Sequence, residues 1–417
     1  MDYFTVHHET ADLPGAERAA LEDSIMQKGY PAAAGSKMLD SFISPFDATV
    51  VVKLKTAGIS VVGKTKMDEF GAAGLFADAA GSESGAVAAV AGGAAEFALC
   101  NDYTGAVRRQ AADRGLYYIR PTYGTVSRYG LIQAVPSMDQ IGVVCKTPRD
   151  GFRVLGVISG HDPNDGAMYG VDQTPAANDD KAGAESTPDG PPRTPDSPLR
   201  IGFPYNVFNK VSENTSFIGI GFGGDIEIVE FELEYFDVFA QVMRILCCAE
   251  LSNNITRYDG IKFGYRAATF SDLHDLYTKS RTEAFGQDAK LVAMLGAMVL
   301  SQDNYTRYYE KAMRIRRKIK ESLDFSKYDA IVMPANCASN DVALAVNALP
   351  QLCGLPSVTA PLPAASPPGG VIAGAGGLGG AGDAGGVGSI GGISRISLIA
   401  DTRREDVLIS MIEAVGI

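Results

Sequence analysis

Hydroxyl groups that could attack a carbonyl carbon lie in two stretches of small residues. Ser82 and Ser84 belong to residues 81–86 (GSESGA), and Thr104 belongs to residues 102–108 (DYTGAVR). Attack by a hydroxyl requires a base that takes its proton and backbone N–H groups that hold the oxyanion. We interpret Ser82 as a turn serine bonded to nearby backbone, and Ser84 and Thr104 as residues that cap or satisfy backbone. A new nucleophile at Ser84 or Thr104 is the alternative.

The composition predicts a folded protein that lacks a large basic surface. Of the 417 residues, 46% are hydrophobic and 21% are charged, and the net charge is −12. The densest basic stretch, residues 311–324, would place Met313, Ile315 and Ile319 on one side of a helix and its cations on the others. We interpret it as an ordinary solvated face, and we expect a partner to supply most of any contact with RNA.

Targeting and metal-binding signals are missing from the sequence, which favours a cytoplasmic protein. No apolar run reaches the roughly 18–20 residues of a membrane helix. Residues 1–14 lack the basic and apolar regions of a signal peptide. With neither a CxxC pair nor a Cys/His cluster, we predict reduced, buried thiols, no metal site and no cofactor. The cysteines are Cys100, Cys145, Cys247, Cys248, Cys337 and Cys353.

The first part of the chain predicts helices and strands in alternation. Within residues 37–70, Asp47 can cap a helix that has an apolar face over residues 50–54. Gly58 ends this helix, and a short buried strand follows. Residues 84–98 are rich in alanine and predict a helix that packs closely against a sheet.

The second part continues the alternation. Strands are predicted near Leu199 and Asp329, and two long helical patterns lie between them, at about 231–252 and 281–323. Helices that alternate with apolar strands predict an α/β fold.

Two low-complexity segments interrupt this order. Residues 173–198 are rich in Pro, Asp and Ala and predict an exposed, mobile linker. Residues 364–392 are mostly Gly and Ala and predict a flexible insertion. The GxGxxG match at 374–379 does not indicate a nucleotide loop, because no clear strand precedes it and no helix follows.

Five long runs without low-complexity bias carry a resemblance. They are residues 36–70, 120–142, 158–165, 257–266 and 306–320. These runs resemble the amidase signature family, and within it the A subunit of the glutamine-dependent aminoacyl-tRNA amidotransferase. The resemblance implies one α/β domain over residues 1–417, with a large twisted mixed sheet flanked by helices on both faces. It also implies hydrolysis of a carboxamide: the A subunit releases ammonia from glutamine, and the ammonia amidates a misacylated tRNA on the B subunit.

The resemblance further implies a triad of a lysine, a bridging serine and a nucleophilic serine. Glu22, in the run LEDSI, occupies the lysine position, and Ser82 occupies the bridging position. Ala106 occupies the nucleophile position, and its neighbours Asp102 and Arg108 match the family on both flanks. An alanine cannot attack a carbonyl, and a glutamate is a poor substitute for an amine, so these residues predict an inactive site.

Other positions of the implied site have changed as well. Tyr103 and Thr104 replace a threonine and a glycine in the oxyanion turn, which Gly105 continues. Lys64 matches a family lysine outside the triad, so we expect a solvent-facing or structural role for it. We expect Asp139 to cap a helix or hold a loop.

The implied substrate pocket needs a cation for the carboxylate of glutamine and an anion for its ammonium group. Val292 stands at the position of the ligand-binding arginine, and Leu291 stands at the adjacent arginine position. Asp341 is the candidate match to the ammonium-binding aspartate. A pocket lined by Val292, Leu291 and Ala106 favours a neutral or apolar ligand.

The segment before Glu22 departs from the family, in which a strand leads into the lysine. Residues 12–29 predict a helix instead, with Ala16, Ala19 and Ala20 among mixed charges.

Three functions are compatible with these residues. The favoured one is an inactive relative of the A subunit, acting as a structural or regulatory partner of B-like or C-like subunits or of a second copy of itself. It would contact tRNA only through a partner subunit, and it would not bind a membrane. The second is an active amidase or amidotransferase component with rerouted chemistry. The third is a small-molecule binding module in a former amidase pocket.

Overall fold

The computed structural model describes residues 3–8, 16–76, 83–168, 198–211, 226–335, 340–362 and 394–415. The strands in these ranges are β1 (Phe4–His7), β2 (Arg18–Glu22), β3 (Ser60–Thr65), β4 (Phe97–Asn101), β5 (Tyr117–Arg120), β6 (Ile141–Cys145), β7 (Leu199–Pro204), β8 (Ile226–Phe231), β9 (Ala330–Pro334), β10 (Ser357–Pro361) and β11 (Arg395–Ala400). They form one mixed sheet in the order β1-β3-β2-β4-β6-β5-β10-β11-β9-β7-β8.

The α-helices of the described ranges connect and cover these strands. They are α1 (Thr49–Thr56), α2 (Gly85–Ala91), α3 (Ala106–Asp113), α4 (Pro148–Ile158), α5 (Tyr205–Val211), α6 (Phe239–Ile255), α7 (Leu273–Ala284), α8 (Gln287–Leu300), α9 (Lys311–Glu321), α10 (Asn340–Val346), α11 (Leu349–Cys353) and α12 (Glu405–Val415). Short 3₁₀ turns lie at Lys37–Leu39, Glu69–Gly71, Ala73–Leu75 and Phe236–Val238, and a π-helical turn lies at Tyr305–Glu310.

Helices cover both faces of the sheet, as the side chains of β4 show. Successive residues of a strand point to opposite faces. Phe97 and Leu99 pack in an apolar cluster with Val51 of α1. Ala98, between them, packs in a different cluster with Val87 of α2. The predicted α/β fold with helices on both faces is therefore confirmed.

The described part of residues 12–29 does not form the predicted helix. Residues 18–22 form β2, which is parallel to both of its neighbours, β3 and β4. Residues 12–15 lie outside the described residues. Ala19 and Ala20 are completely buried in this strand. Pairing on two sides thus overrides the helical preference of alanine, which is a weak local effect.

The longer helical predictions have wrong boundaries. The helix predicted over 84–98 ends before Gly92, where two consecutive glycines precede β4. The pattern at 231–252 begins at the end of β8, and α6 starts only at Phe239. The pattern at 281–323 is divided among α7, α8, the π-helical turn and α9, and Gly286 separates the first two.

Asp47 does not cap α1 as predicted. The residue before this helix is Ala48, and its side chain makes no capping bond. Asp47 instead accepts a hydrogen bond from the N–H of Lys28 at 2.9 Å and pairs with Lys55 at 2.6 Å. The apolar face of α1 is buried as predicted, and the strand after it, β3, begins at Ser60.

The strands predicted near residues 199 and 329 are confirmed, since β7 begins at Leu199 and β9 begins at Ala330. The predicted linker, 173–198, lies outside the described residues except for Pro198, and the predicted insertion, 364–392, lies outside them entirely. Both assignments stay predictions.

The cysteines in the described ranges have buried thiol groups. Cys100, Cys145, Cys247, Cys248 and Cys353 are free and buried, as predicted, and Cys337 is outside the described residues. No group of three or more His, Cys, Asp or Glu side chains in the described ranges could hold a metal ion. None of the helices in those ranges combines the length and the apolar character that crossing a bilayer requires.

Candidate functional site

The carboxyl ends of β2 and β4 bring the two implied catalytic regions together. These strands are parallel neighbours, so they end at the same edge of the sheet, where open α/β sheets bind ligands. Glu22 is the last residue of β2, and the N–H of Asn101, the last residue of β4, donates to its Oε2 at 3.1 Å. The turn 102–108 follows at once, and Ala106 is the first residue of α3.

Glu22 is a buried carboxyl group, only 2% exposed. Its Oε2 accepts hydrogen bonds from the Ser24 hydroxyl at 2.6 Å and from the N–H of Asn101. Burial raises the pKa of Glu22 to about 8, so the neutral acid predominates at pH 7. A protonated carboxyl group cannot take a further proton from a hydroxyl, and Glu22 is therefore not a general base at this pH.

Lys64 is completely buried, so the solvent-facing role predicted as one alternative is wrong. Its amine donates to the carbonyl oxygens of Ile25 and Asp23, the residues that follow β2. Burial lowers the pKa of Lys64 to about 8. The side chain fastens β3 to the turn after Glu22, which fits the structural alternative.

The predicted oxyanion turn is held by its own aspartate. Asp102 Oδ1 accepts from the N–H groups of Gly105 at 2.9 Å and Val107 at 3.3 Å, and Oδ2 accepts from the N–H of Arg108 at 3.2 Å. The Arg108 guanidinium also donates to Oδ2 at 2.9 Å, and neither side chain is more than 1% exposed. These three N–H groups are therefore directed at Asp102, away from any bound carbonyl group.

Packing fixes the other residues of this turn. The Tyr103 hydroxyl donates to the carbonyl oxygen of Phe70 at 2.9 Å, and the ring is buried. Gly105 has a φ of 85°, and a Cβ at this position would overlap the side chain of Asn347. Only glycine fits this position, because other residues rarely adopt a positive φ and because their Cβ would need the space that Asn347 occupies.

The turn Ala73–Leu75 lies close to the methyl group of Ala106. A Cβ built on Gly74 would lie 2.5 Å from Thr104 Oγ1 and 3.2 Å from Ala106 Cβ, so the Gly74 backbone is close to both. Asp68 Oδ2 accepts from the first N–H of this turn at 2.8 Å and holds it in place. The Gly74 backbone therefore lies on one side of Ala106, which is itself half-buried.

The candidate hydroxyls differ in their surroundings. Ser82 lies outside the described residues. Thr104 Oγ1 accepts a weak hydrogen bond of 3.4 Å from the N–H of Ala106, which fits a role in satisfying backbone. Ser84 precedes α2 without capping it, contrary to one prediction, and its own N–H donates to Gln110 Oε1 at 2.7 Å. In the described part of the chain, no hydrogen bond joins the hydroxyl of Ser84 or Thr104 to a basic side chain.

The residues of the implied substrate pocket offer few free charges. Val292 is completely buried in α8 and belongs to one apolar cluster with Tyr103 and Leu75. Asp341, in the first turn of α10, forms an ion pair with Arg244 of α6. Arg244 also donates to the carbonyl oxygen of Leu75 at 2.8 Å. The carboxylate at 341 is already paired, and the side chain at 292 carries no charge.

Asp139 holds a loop, as predicted, and it also connects that loop to β4. Its Oδ2 accepts from the N–H groups of Ala134 at 2.9 Å and Val135 at 3.0 Å. Its Oδ1 accepts from Asn101 Nδ2 at 2.8 Å. Burial raises the pKa of Asp139. Asn101 is a site residue that was not predicted, although a polar residue directly after the apolar run FALC is a usable signal.

Arg120 is a second residue that the sequence analysis missed. It is completely buried at the end of β5 and donates to the carbonyl oxygens of Asp102 at 3.2 Å and Met138 at 2.8 Å. Burial lowers its pKa to about 10. The signal again is a charged residue at the end of an apolar strand.

Comparisons with known proteins identify the family to which the chain is similar. A protein-family model described as Amidase matches residues 19–77 and 76–345. The chain is 37% identical over 347 residues to the A subunit of the glutamyl-tRNA(Gln) amidotransferase from Lachnoclostridium phytofermentans, covering 77% of this chain and 67% of the relative. It is 35% identical over 390 residues to the protein of the same name from Symbiobacterium thermophilum, covering 85% of this chain and 76% of the relative.

Solved structures share the fold. The A subunit of the glutamyl-tRNA(Gln) amidotransferase from Thermotoga maritima matches with a TM-score of 0.63 at 25% identity, covering 96% of this chain and 84% of the other. The peptide amidase of Stenotrophomonas maltophilia matches with a TM-score of 0.64 at 20% identity, covering 96% of this chain and 82% of the other. The large mixed sheet flanked by helices is common to them.

Proposed function

The chain belongs to the amidase family, and on that premise we propose that it is a catalytically inactive relative of the amidotransferase A subunit. It acts in the cytoplasm as a structural or regulatory partner of other subunits. The observation that supports the proposal is the pair of groups at residues 22 and 106. A buried carboxyl group, whose pKa is raised by burial, stands at the first position and a methyl group at the second.

Amide hydrolysis at this edge of the sheet would need three groups together. A hydroxyl must attack, a neutral amine must accept its proton, and N–H groups must hold the oxyanion. Here residue 106 has no hydroxyl, Glu22 already carries a proton at pH 7, and the N–H of Gly105 is bonded to Asp102. Losing the nucleophile alone costs roughly 10⁶-fold in the turnover of a serine protease.

An exposed apolar face on α8 supports a protein partner. Met294 and Met298 lie one helical turn apart and are 64% and 43% exposed. Residues 291–300 contain no polar side chain, although the outer side of this helix faces solvent. Exposed apolar patches of this kind mark interaction sites, and methionine adapts its shape to a partner. The partner is a B-like or C-like subunit, or a second copy of the chain, and tRNA is touched only through it.

Co-purification tests the partner. Tagged full-length protein should retain a B-like or C-like subunit or elute as an oligomer, and Met294→Asp should release the partner. Leu273→Asp is the matched control, because Leu273 is 62% exposed on α7. A native protein that elutes alone as a monomer, or equal release by both variants, would remove the support for this role.

An active amidotransferase component is the second candidate. The 37% identity to the A subunit of a glutamyl-tRNA(Gln) amidotransferase favours it. It predicts ammonia release from glutamine by the purified protein, and it assigns the attack to Ser82, Ser84 or Thr104. The inactive proposal predicts release no faster than the buffer blank. Heat-sensitive release that disappears in Thr104→Ala or Ser82→Ala would favour the active enzyme.

A further inference from the structure

A separate cleft, with a volume of about 440 Å³, opens beside α9. This volume falls within the range of roughly 300–1,000 Å³ that is usual for small-molecule sites. None of the residues that line it belongs to the catalytic or pocket positions discussed above. The cleft is therefore distinct from the candidate amidase site, and ligand binding in it does not depend on whether that site is active.

One face of α9 forms a wall of the cleft. Met313, Arg316, Arg317 and Lys320 all line it. Their spacing of three, four and seven residues places them in one stripe along the helix. The basic run at 311–324 is thus more than a solvated face, because three of its cations converge on one cavity.

Arg316 is held in position by neutral groups. Its Nε donates to the carbonyl oxygen of Leu352 at 2.7 Å, and its Nη1 and Nη2 donate to the hydroxyl and the carbonyl oxygen of Ser137 at 2.8 and 3.0 Å. The Ser137 hydroxyl in turn donates to Glu250. These hydrogen bonds fix the orientation of the guanidinium, and among the described residues Arg316 forms no direct ion pair.

The other two cations are open to a ligand. Lys320 is exposed, and within the described residues it forms no ion pair. Arg317 pairs with Glu321 at 2.6 Å, but the two side chains are 81% and 55% exposed. Such surface pairs contribute about 0–1 kcal/mol, so an anion in the cleft can compete for Arg317.

Apolar side chains and a tyrosine ring held by hydrogen bonds form another part of the lining of the cleft. Leu352 and the Met313 side chain supply apolar surface. The Tyr123 hydroxyl donates to the carbonyl oxygen of Pro136 and accepts from Arg128 Nη1, both at 2.8 Å, so its ring is fixed at the edge of the cleft. The site combines three cations with a preformed apolar wall.

We propose that this cleft binds a small phosphomonoester, with its phosphate between Arg316, Arg317 and Lys320 and its organic part against Met313 and Leu352. A phosphate dianion offers more acceptor oxygens and more charge than a carboxylate, and guanidinium groups bind it with matched geometry. A nucleic acid is disfavoured, because the chain carries a net charge of −12 that repels an extended polyanion.

Calorimetric titration of the purified full-length chain with phenyl phosphate and with inorganic phosphate tests the proposal. Both should bind saturably, and phenyl phosphate should bind more tightly because its ring covers the apolar wall. Lys320→Glu should weaken binding by about tenfold or more. Lys318→Glu is the matched control: it makes the same charge change on the opposite side of α9 and should weaken binding less than about twofold.

Arg317→Gln and Arg314→Gln form a second matched pair, since each breaks one exposed i,i+4 ion pair, and only Arg317 lines the cleft. Arg317→Gln should weaken binding and Arg314→Gln should not. Equal weakening by the cleft and control variants would overturn the proposal, because it indicates a general charge effect. So would the absence of saturable binding, or binding of a short RNA or an acidic peptide without binding of phenyl phosphate.

Discussion

The edge of the sheet at Glu22 and the cleft beside α9 differ in how their charged groups are paired. At the edge, Glu22, Asp102 and Asp139 accept hydrogen bonds from backbone and side chains of the protein itself. Beside α9, Lys320 is exposed and forms no ion pair among the described residues, and Arg316 is held by the neutral oxygens of Leu352 and Ser137. Groups that bond within the protein stabilise the fold, whereas groups left open can bind a ligand. On the proposed inactivity, the charged groups at the edge serve the fold, and the cleft beside α9 is the surface that has cations open to a ligand.

The largest expected effect concerns the buried ion pair at the edge. Asp102→Ala should lower the free energy of unfolding by about 3–5 kcal/mol, because it leaves Arg108 charged and buried without its partner. Urea denaturation measures this loss. Glu321→Ala, which breaks the exposed pair with Arg317, is the control and should cost less than about 1 kcal/mol. Equal losses would mean that the edge is no more structural than the surface.

Glu22→Gln should flatten the pH dependence of stability. Burial raises the pKa of Glu22 from 4.5 to about 8, so between these values the folded state holds a proton that the unfolded chain has lost. The free energy of unfolding therefore falls as the pH rises through this window, by at most about 1.4 kcal/mol per pH unit. Urea denaturation across the window should show the slope in the native protein and a smaller slope in Glu22→Gln. Parallel curves would show that Glu22 is ionised at neutral pH.

Gly105→Ala separates packing from backbone strain at the turn. The new Cβ would overlap Asn347, and the φ of 85° is unfavourable for alanine, so we expect a loss of about 2–3 kcal/mol. Gly115→Ala is the control: its φ is 70°, but a Cβ there meets nothing within 4 Å. It should cost about 1–2 kcal/mol, from strain alone. If thermal denaturation gives equal losses, the turn is not packed against Asn347.

The smallest effect is expected at Ser84. Its side chain makes no capping bond at α2, so Ser84→Ala should change the free energy of unfolding by less than about 0.5 kcal/mol. Thr147→Ala should cost about 1 kcal/mol, because the Thr147 side chain caps α4 by accepting from the N–H of Asp150. A larger loss at Ser84 than at Thr147 would reveal a bond that this hydroxyl makes at the edge.

Local sequence patterns predicted several elements and failed for β2. The positions of strands β7 and β9 were predicted correctly because each is a continuous apolar run, and the residues that flank the run in sequence interrupt it. Residues 18–22 read as helix because Ala19 and Ala20 favour it locally, whereas β3 and β4, which pair with them, come from distant parts of the chain. Local propensity cannot anticipate such pairing.

The family resemblance assigned residues to the candidate site, but it could not give the contacts around them. The family resemblance assigned Ser82, Ala106 and Glu22, and the structure brings the turn before Ala106 close to Glu22 through Asn101, whereas Ser82 lies outside the described residues. The contact of Gly105 with Asn347, and the convergence of the α9 cations on one cavity, depend on tertiary packing between segments far apart in sequence. No spacing rule gives such contacts.

Release of labelled ammonia from amide-¹⁵N glutamine, followed by NMR with the purified chain alone and with any partner protein that copurifies with it, tests the proposed inactivity most directly. We expect the rate to equal the buffer blank in both samples and to be unchanged by Thr104→Ala. Heat-sensitive release above the blank that copurifies with the chain, and that a single hydroxyl substitution abolishes, would contradict the proposal.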